Sequence, residues 1–403
     1  MMFSLLNRWS AVCAAGLLTA CTSLPPGPIE LVETTPIGTV LGSTDLPETA
    51  EVWRHMIDRA EHSIVLSQFY LVTDPSGLLD GIIERIEAAA HRGVDVRILV
   101  GEKFYATYPE LIDRFDENPD IKIRRWNIGE LTGGVQHSKY IIVDGKEVYL
   151  GSANFDWRSL EHIQELGLHL DSPGFAASLL DVFEHDWALA AGQTPPAPTA
   201  QTHYPLMFRL APGQVGDRMD PQVALWPAFS PKGLLPVESE WDLPRIQDLI
   251  QSSQRSLFLQ LLTLDLVDKQ GQHFVELEKP LLEAADRGVR VRILVADWCD
   301  KPGVIEDLRA LAAHPGISIR MATIPEHSGG HIPFARVIHA KYLVADREMA
   351  WVGSSNWDPR YFFDSRNAGV MLRGSGIADR LERFFRTNWS SPYVREVQPE
   401  PQS

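Results

Sequence analysis

Two histidines, two lysines and two asparagines recur at one spacing in this chain of 403 residues. Residues 137–154 read HSKYIIVDGKEVYLGSAN, and residues 339–356 read HAKYLVADREMAWVGSSN. Both fit H-x-K-x4-D-x6-G-S-x-N with no insertion. A phosphodiester carries a negative charge that repels nucleophiles. Lys139, Lys341 and the amides of Asn154 and Asn356 are the groups that would hold its non-bridging oxygens. One neutral imidazole can attack phosphorus and form a covalent intermediate. A protonated imidazole opposite can protonate the departing oxygen and then activate water. A single copy cannot place two histidines at opposite ends of one reacting axis, whereas two copies related by an approximate twofold can. A lone histidine on an apolar strand is more often structural; six specified positions repeated twice are not a chance pattern.

These side chains need strands to aim them. Period-2 alternation puts His137 and Lys139 on one face, continued by the core-like Ile141 and Val143. Asp144-Gly145-Lys146 then predicts a hairpin turn that returns the chain alongside. Ser152 and Asn154 come back near His137 and Lys139. The second copy places His339, Lys341, Ser354 and Asn356 in the same way, with Arg347 where the first copy has Gly145. Asp144 and Asp346 are expected to brace the hairpins rather than touch substrate. Asp156, Arg158, Asp358 and Arg360 are expected as supporting residues.

The flanking pattern repeats too. In the first half, helices are expected at 50–61 and 77–91 and strands at 63–71, 94–100 and 121–126. In the second, a helix at 243–253 and strands at 256–264 and 291–297 follow the same order. AAAHRGVDVRILV at 88–100 parallels EAADRGVRVRILV at 283–295, an offset of 195, against 202 between His137 and His339. The seven extra residues are placed in the EHSGGH region, a loop near the cleft. Its two histidines lack a third ligand at metal-site spacing, so no metal site is assigned. The fold class is α/β: two pseudo-twofold halves, each a mixed sheet flanked by helices. The halves are set at 46–190 and 241–395. Residues 21–45 read as a tether with a short ordered stretch near Ile29–Thr35, and 396–403 as a disordered tail. Residues 191–240 read as a proline-rich connection without a regular core of its own, packed on the body through Tyr204, Phe208, Trp226 and Phe229.

Hydrophobic residues make up 44% and charged residues 22%, the composition of a folded globular chain. A formal net charge of −16 argues against a broad basic surface gripping duplex nucleic acid, though not against a small cationic cleft. Residues 1–20 carry one cation, Arg8, and a short apolar run too brief to span a bilayer. The run ends in Leu18-Thr19-Ala20-Cys21, which resembles a bacterial lipoprotein signal. That resemblance implies acyl chains on Cys21 and a body held at the periplasmic face of the outer membrane, since Thr22 and Ser23 follow rather than an acidic residue. Cys299 reads as a buried small hydrophobe.

The duplicated pattern resembles the phospholipase D superfamily, whose signature is HxKxxxxD in two copies. The resemblance covers nearly all of residues 45–395. QHSKYIIVDGKEVYLGSANFDWRSLEHIQELG, RVIHAKYLVADREMAWVGSSNWDPRYFF and FFRTNWSSPY are most similar to the lysosomal exonuclease-like branch. It implies one cleft at the pseudo-twofold, no metal or other cofactor, and a phosphohistidine intermediate, with His137 as nucleophile and His339 as general acid and base. It also implies an acidic residue after the first motif that orients a histidine. Glu165 matches it, while Asn367 stands at the second-half position. Two substrate readings stay open, a single-stranded nucleic acid end or a membrane phospholipid, beside the non-enzymatic alternative of a lipoprotein that only binds phosphate-bearing polymers or envelope partners. Tyr105, Tyr108, Trp298, Trp357 and Tyr361 are the aromatics expected to line either one. The resemblance allows a homodimer, and no long exposed apolar stripe demands one.

Overall fold

The computed structural model describes residues 27–43, 45–200, 202–210, 219–268 and 271–399. The signal segment, Cys21 and residues 400–403 of the tail lie outside the described residues.

The two halves fold alike because their apolar patterns are alike. From its outer edge inward, the first half orders its strands Ile121–Trp126, Asp95–Gly101, Ser63–Gln68, Tyr140–Val143, Glu147–Gly151 and Glu165–Asp171. The second half repeats this with Ile317–Ala322, Arg290–Ala296, Ser256–Leu261, Tyr342–Ala345, Met349–Gly353 and Asn367–Arg373. In each half the outer three strands are parallel and joined through helices, and the inner three are antiparallel. That is the division expected when crossover helices give way to short hairpins. Helices Leu78–His91 and Val275–Asp286 bury one apolar stripe each, Leu79, Ile82, Ile83 and Ile86 in the first and Leu277, Leu281, Ala284 and Ala285 in the second.

Three expectations are corrected. The ordered stretch expected near Ile29–Thr35 is there but is no part of a tether: Gly27–Thr34 is a strand at the centre of the sheet, paired with Glu165–Asp171 on one side and Leu206–Leu210 on the other. The proline-rich connection also supplies regular core, since Leu206–Leu210 and Gln222–Ser230 complete the bridge to Asn367–Arg373. Phe208 and Phe229 are buried in it. With these three strands and the edge strand Val394–Glu396, the two halves form one mixed sheet of sixteen strands among the described residues. The tail begins later than expected, because Val394–Glu396 pairs with Ile317–Ala322 and Val397 is buried. In each case strand pairing satisfies backbone groups that a buried loop would leave unpaired.

All but one residue of the extra length of the second half lies where the repeat offset placed it. Residues 127–136 separate strand Ile121–Trp126 from His137, whereas residues 323–338 separate Ile317–Ala322 from His339.

Candidate active site

Each catalytic-type histidine enters its strand by pairing with the other half. The N–H of His137 donates to the Arg366 carbonyl at 2.8 Å, and the N–H of His339 donates to the Gln164 carbonyl at 2.8 Å. Arg366 and Gln164 return these bonds to Val135 and Val337, each at 3.0 Å. The two motifs are thereby stitched across the pseudo-twofold. Arg366, wholly buried, also forks onto Asp186 at 2.7 and 2.8 Å, tying the second half to helix Pro173–Ala190 of the first.

The hairpins form as their residues dictate. Asp144 and Gly145 lie at φ 52° and 61°, the left-handed pair a tight turn needs, and Asp346 and Arg347 repeat this at 56° and 59°. The Asp144 carboxylate accepts the N–H groups of Glu61, His62 and Ser63, and Asp346 accepts those of Gln254, Arg255 and Ser256. These aspartates brace the start of the neighbouring strand, at the end of the sheet away from the histidines. The motif glycine is a packing requirement: a Cβ on Gly151 would sit 2.6 Å from the Gly167 Cα.

At the other end, His137, His339, Asn154 and Asn356 line one cavity of about 490 Å³. His339 Nδ1 lies 2.8 and 2.9 Å from the two carboxylate oxygens of Glu165, which also accepts the Ser152 hydroxyl at 2.5 Å. His137 Nδ1 lies 3.0 Å from Asn367 Oδ1, which accepts the Ser354 hydroxyl at 3.1 Å. The Asn367 amide nitrogen donates to Ser230 Oγ and to the carbonyls of Tyr361 and Ser365. Those acceptors fix which way the amide points, so His137 must carry its proton on Nδ1. Its Nε2 is left with a free lone pair, the state a nucleophile needs. Lys139 and Lys341 lie beneath, each donating to the carbonyl of its own motif histidine at 2.6 Å. Asn154 donates to the Tyr70 hydroxyl at 3.2 Å.

Burial governs the protonation states here. It pushes His137 well below the usual imidazole range, helped by the charges of Lys139 and Lys341. It pushes His339 down to about 4, against the pull of Glu165. Burial would raise Glu165, but His339 and Lys341 outweigh it and hold the carboxyl below its ordinary value. Lys341 falls to about 7 through burial, and Lys139 falls well below the usual lysine range through burial and the Lys341 charge.

Of the aromatics expected at the cleft, Tyr108, Trp298 and Tyr361 line the cavity. Trp357 and Tyr105 do not. Trp357 is buried in the second-half core, its indole 6.2 Å from that of Trp351, on a backbone whose N–H donates to the Thr263 carbonyl. Tyr105 turns outward, giving its hydroxyl to Asp113 with the Arg125 guanidinium 3.8 Å from its ring. The wall instead includes Phe69, Tyr70, Phe104, Arg158 and Phe334. Phe69 and Tyr361 stand edge-on to the His137 ring at 4.7 and 4.9 Å. SQFYL after the second-half-like strand start was the available signal for Phe69 and Tyr70, since both follow directly on Ser63–Gln68. Phe334 had none, lying in the longer loop at φ 60°. Among the described residues no three His, Cys, Asp or Glu side chains cluster as metal ligands.

The family model described as cardiolipin synthase, PLD-like domain, matches twice, at residues 53–187 and 246–389. A probable phospholipase D of Caenorhabditis elegans is 28% identical over 91% of this chain and 70% of its own length. The virion nicking-joining enzyme of vaccinia virus is 29% identical over 91% of this chain and 89% of that protein. The 5′-3′ exonuclease PLD3 of Homo sapiens is 28% identical over 91% and 80%. The crystal structure of phosphatidylserine synthase from Haemophilus influenzae shares the fold, with a TM-score of 0.64 at 14% identity over 92% of this chain and 87% of that one. With both copies of the family domain matched and the paired histidines in one cavity, the chain belongs to the phospholipase D superfamily and is one of its phosphodiesterases.

Proposed function

We propose that this phosphodiesterase removes nucleotides from the 5′ end of single-stranded nucleic acid through a phosphohistidine intermediate. His137 Nε2 attacks phosphorus. The Nδ1–H bond to Asn367 orients that ring and fixes its tautomer, while burial and the charges of Lys139 and Lys341 keep it neutral. His339, whose imidazolium is stabilised by Glu165, protonates the leaving oxygen and then deprotonates the water that releases His137. Lys139, Lys341, Asn154 and Asn356 stabilise the charge on the non-bridging oxygens.

The observation that carries the substrate reading is the wall of Phe69, Tyr70, Phe104, Tyr108, Trp298 and Phe334 beside the histidines, with Arg158 as its cation. Rings that follow a phosphate site suit stacked bases. The likeness to an exonuclease and to a nicking-joining enzyme points the same way. The second reading, phosphatidyl transfer or phospholipid hydrolysis, is favoured by the apolar character of that same wall. We further propose that Cys21 is acylated and holds the body at the periplasmic face of the outer membrane.

A competition assay separates the two readings. The enzyme is offered 5′-hydroxyl and 5′-phosphate oligonucleotides together with phosphatidylglycerol vesicles, in the presence of a chelator. Stepwise release of nucleotides supports the exonuclease. Released or exchanged headgroup with intact oligonucleotide rejects it.

A further inference from the structure

Strand Gly27–Thr34 runs along the central sheet from its hairpin-turn end to its catalytic end. Thr34 lies opposite Glu165, the residue that holds His339, while Ile29 lies opposite Leu170. Thr34 therefore marks the catalytic end and Gly27 the far end, about 23 Å away at the rise of a strand. Both hairpin turns are at the far end: Glu147 pairs with Asp171, and Met349 with Arg373. Gly27 pairs there with Phe208, itself opposite Val223.

Only residues 22–26 separate Cys21 from Gly27. Six Cα-to-Cα steps span about 22 Å at full extension. That reach is shorter than the direct path up the strand, and the path around the body is longer still. We infer that the far end of the molecule is a membrane-docking face, held against the bilayer by acylated Cys21, with the catalytic mouth directed away from it. This rests on the acylation proposed above and not on the choice of substrate. The far end also presents an open basin of about 510 Å³, lined by Met207, Arg255, Arg347 and Arg373 together with the acidic Asp220, Asp346 and Glu348. Met207 is 42% exposed there. Guanidinium groups beside an exposed apolar side chain suit a layer of phosphate headgroups. Phosphodiesters in the anchoring leaflet then lie out of reach of the histidines, and substrate arrives from the side facing away from that membrane.

The test uses the full-length protein extracted from envelope membranes and reconstituted in vesicles of phosphatidylethanolamine and phosphatidylglycerol. Single fluorophores are placed by Lys146→Cys and Glu348→Cys at the far end, and by Ala106→Cys and Lys301→Cys beside the mouth. Cys299 is buried and stays unlabelled. A headgroup-level quencher is expected to quench both far-end labels at least threefold more than either mouth label. Equal quenching, or stronger quenching at the mouth, overturns the inference. So does an intact mass showing Cys21 without acyl chains. Nucleotide release measured in the same vesicles reports on the substrate reading separately, so the two proposals fail by different results.

Discussion

Glu165 comes from the first half of the chain and holds the histidine of the second: its carboxylate accepts Nδ1–H of His339 at 2.8 and 2.9 Å, 174 residues away in sequence. Asn367 does the reciprocal service for His137 at 3.0 Å. Neither half contains a complete catalytic group. The unlike partners give the two rings unlike duties, because a carboxylate favours an imidazolium while an amide oxygen merely fixes a tautomer.

Replacing Glu165 by Gln keeps the shape and removes the charge. Glu165 raises the His339 pKa against the larger effect of burial, so its loss lowers that pKa further. The acid form of His339 is populated below its pKa, about 4 in the free enzyme, and is lost as pH rises. The kcat/KM profile of the wild type is therefore expected to fall with rising pH, and in Glu165→Gln that fall moves to lower pH. At a fixed mildly acidic pH, kcat drops by about 10²- to 10⁴-fold, the range for losing general acid catalysis. An unchanged profile would remove Glu165 from the mechanism.

Asp144 belongs to the motif but sits at the end of the sheet away from the histidines. Asp144→Ala breaks three charge-assisted bonds to Glu61, His62 and Ser63. A loss of about 2–4 kcal/mol in stability is expected, partly offset by water at this exposed site. Thermal unfolding reads this directly. The kcat/KM of the folded fraction should stay within about threefold of wild type, as is normal away from the reacting atoms. A large kcat loss with unchanged stability would place the aspartate in the chemistry.

Tyr108 and Phe334 form part of the wall proposed to stack bases. Stacking is worth about 1–3 kcal/mol per base, so each alanine variant should raise KM for oligonucleotides by about 5- to 100-fold. Turnover of a small fluorogenic phosphodiester should scarcely change. Equal losses on both substrates would mean that these rings shape the site rather than bind a strand.

His169 bridges Glu30 and Glu147 at 2.7 Å each, and its pKa is raised to about 9: burial lowers it, but the two carboxylates outweigh burial. A raised folded-state pKa stabilises fully below the unfolded value, near 6.5, and the gain is lost as pH rises through 9. His169→Gln is expected to lower the unfolding temperature by several degrees at pH 6 and by little at pH 9.5. A pH-independent decrement would assign the effect to packing.

Much of this site can be read from the chain because strand alternation and hairpin chemistry are local. They place His137 with Lys139, and Asn154 back beside them, without any long-range knowledge. The repeat then supplies the twofold. What alternation cannot give is which element lies across the gap, so the pairing of Glu165 with His339 and of Asn367 with His137 emerges only from the fold. Of Gly27–Thr34 the sequence shows only a short ordered stretch, and of Gln222–Ser230 nothing regular, because prolines and glycines flank them and both faces of the central sheet are covered, erasing the polar half of the pattern. Trp357 and Tyr105 show the same limit: one packs inward against Trp351 and the other turns out to Asp113 and Arg125, through tertiary contacts that the sequence does not display.

The central claim is that one phosphorus atom is held between His137 and His339 and is carried covalently by His137. It is tested most directly by rapid acid or heat quenching of the enzyme during turnover of a 5′-end-labelled oligonucleotide, followed by peptide mapping under conditions that preserve phosphoramidates. A nucleotidyl or phosphoryl adduct on the peptide containing His137 is expected, with slowed decay and greater accumulation in His339→Ala when the leaving group is a nitrophenolate that needs no acid. An adduct on His339 instead, or turnover that persists in His137→Ala, would contradict it.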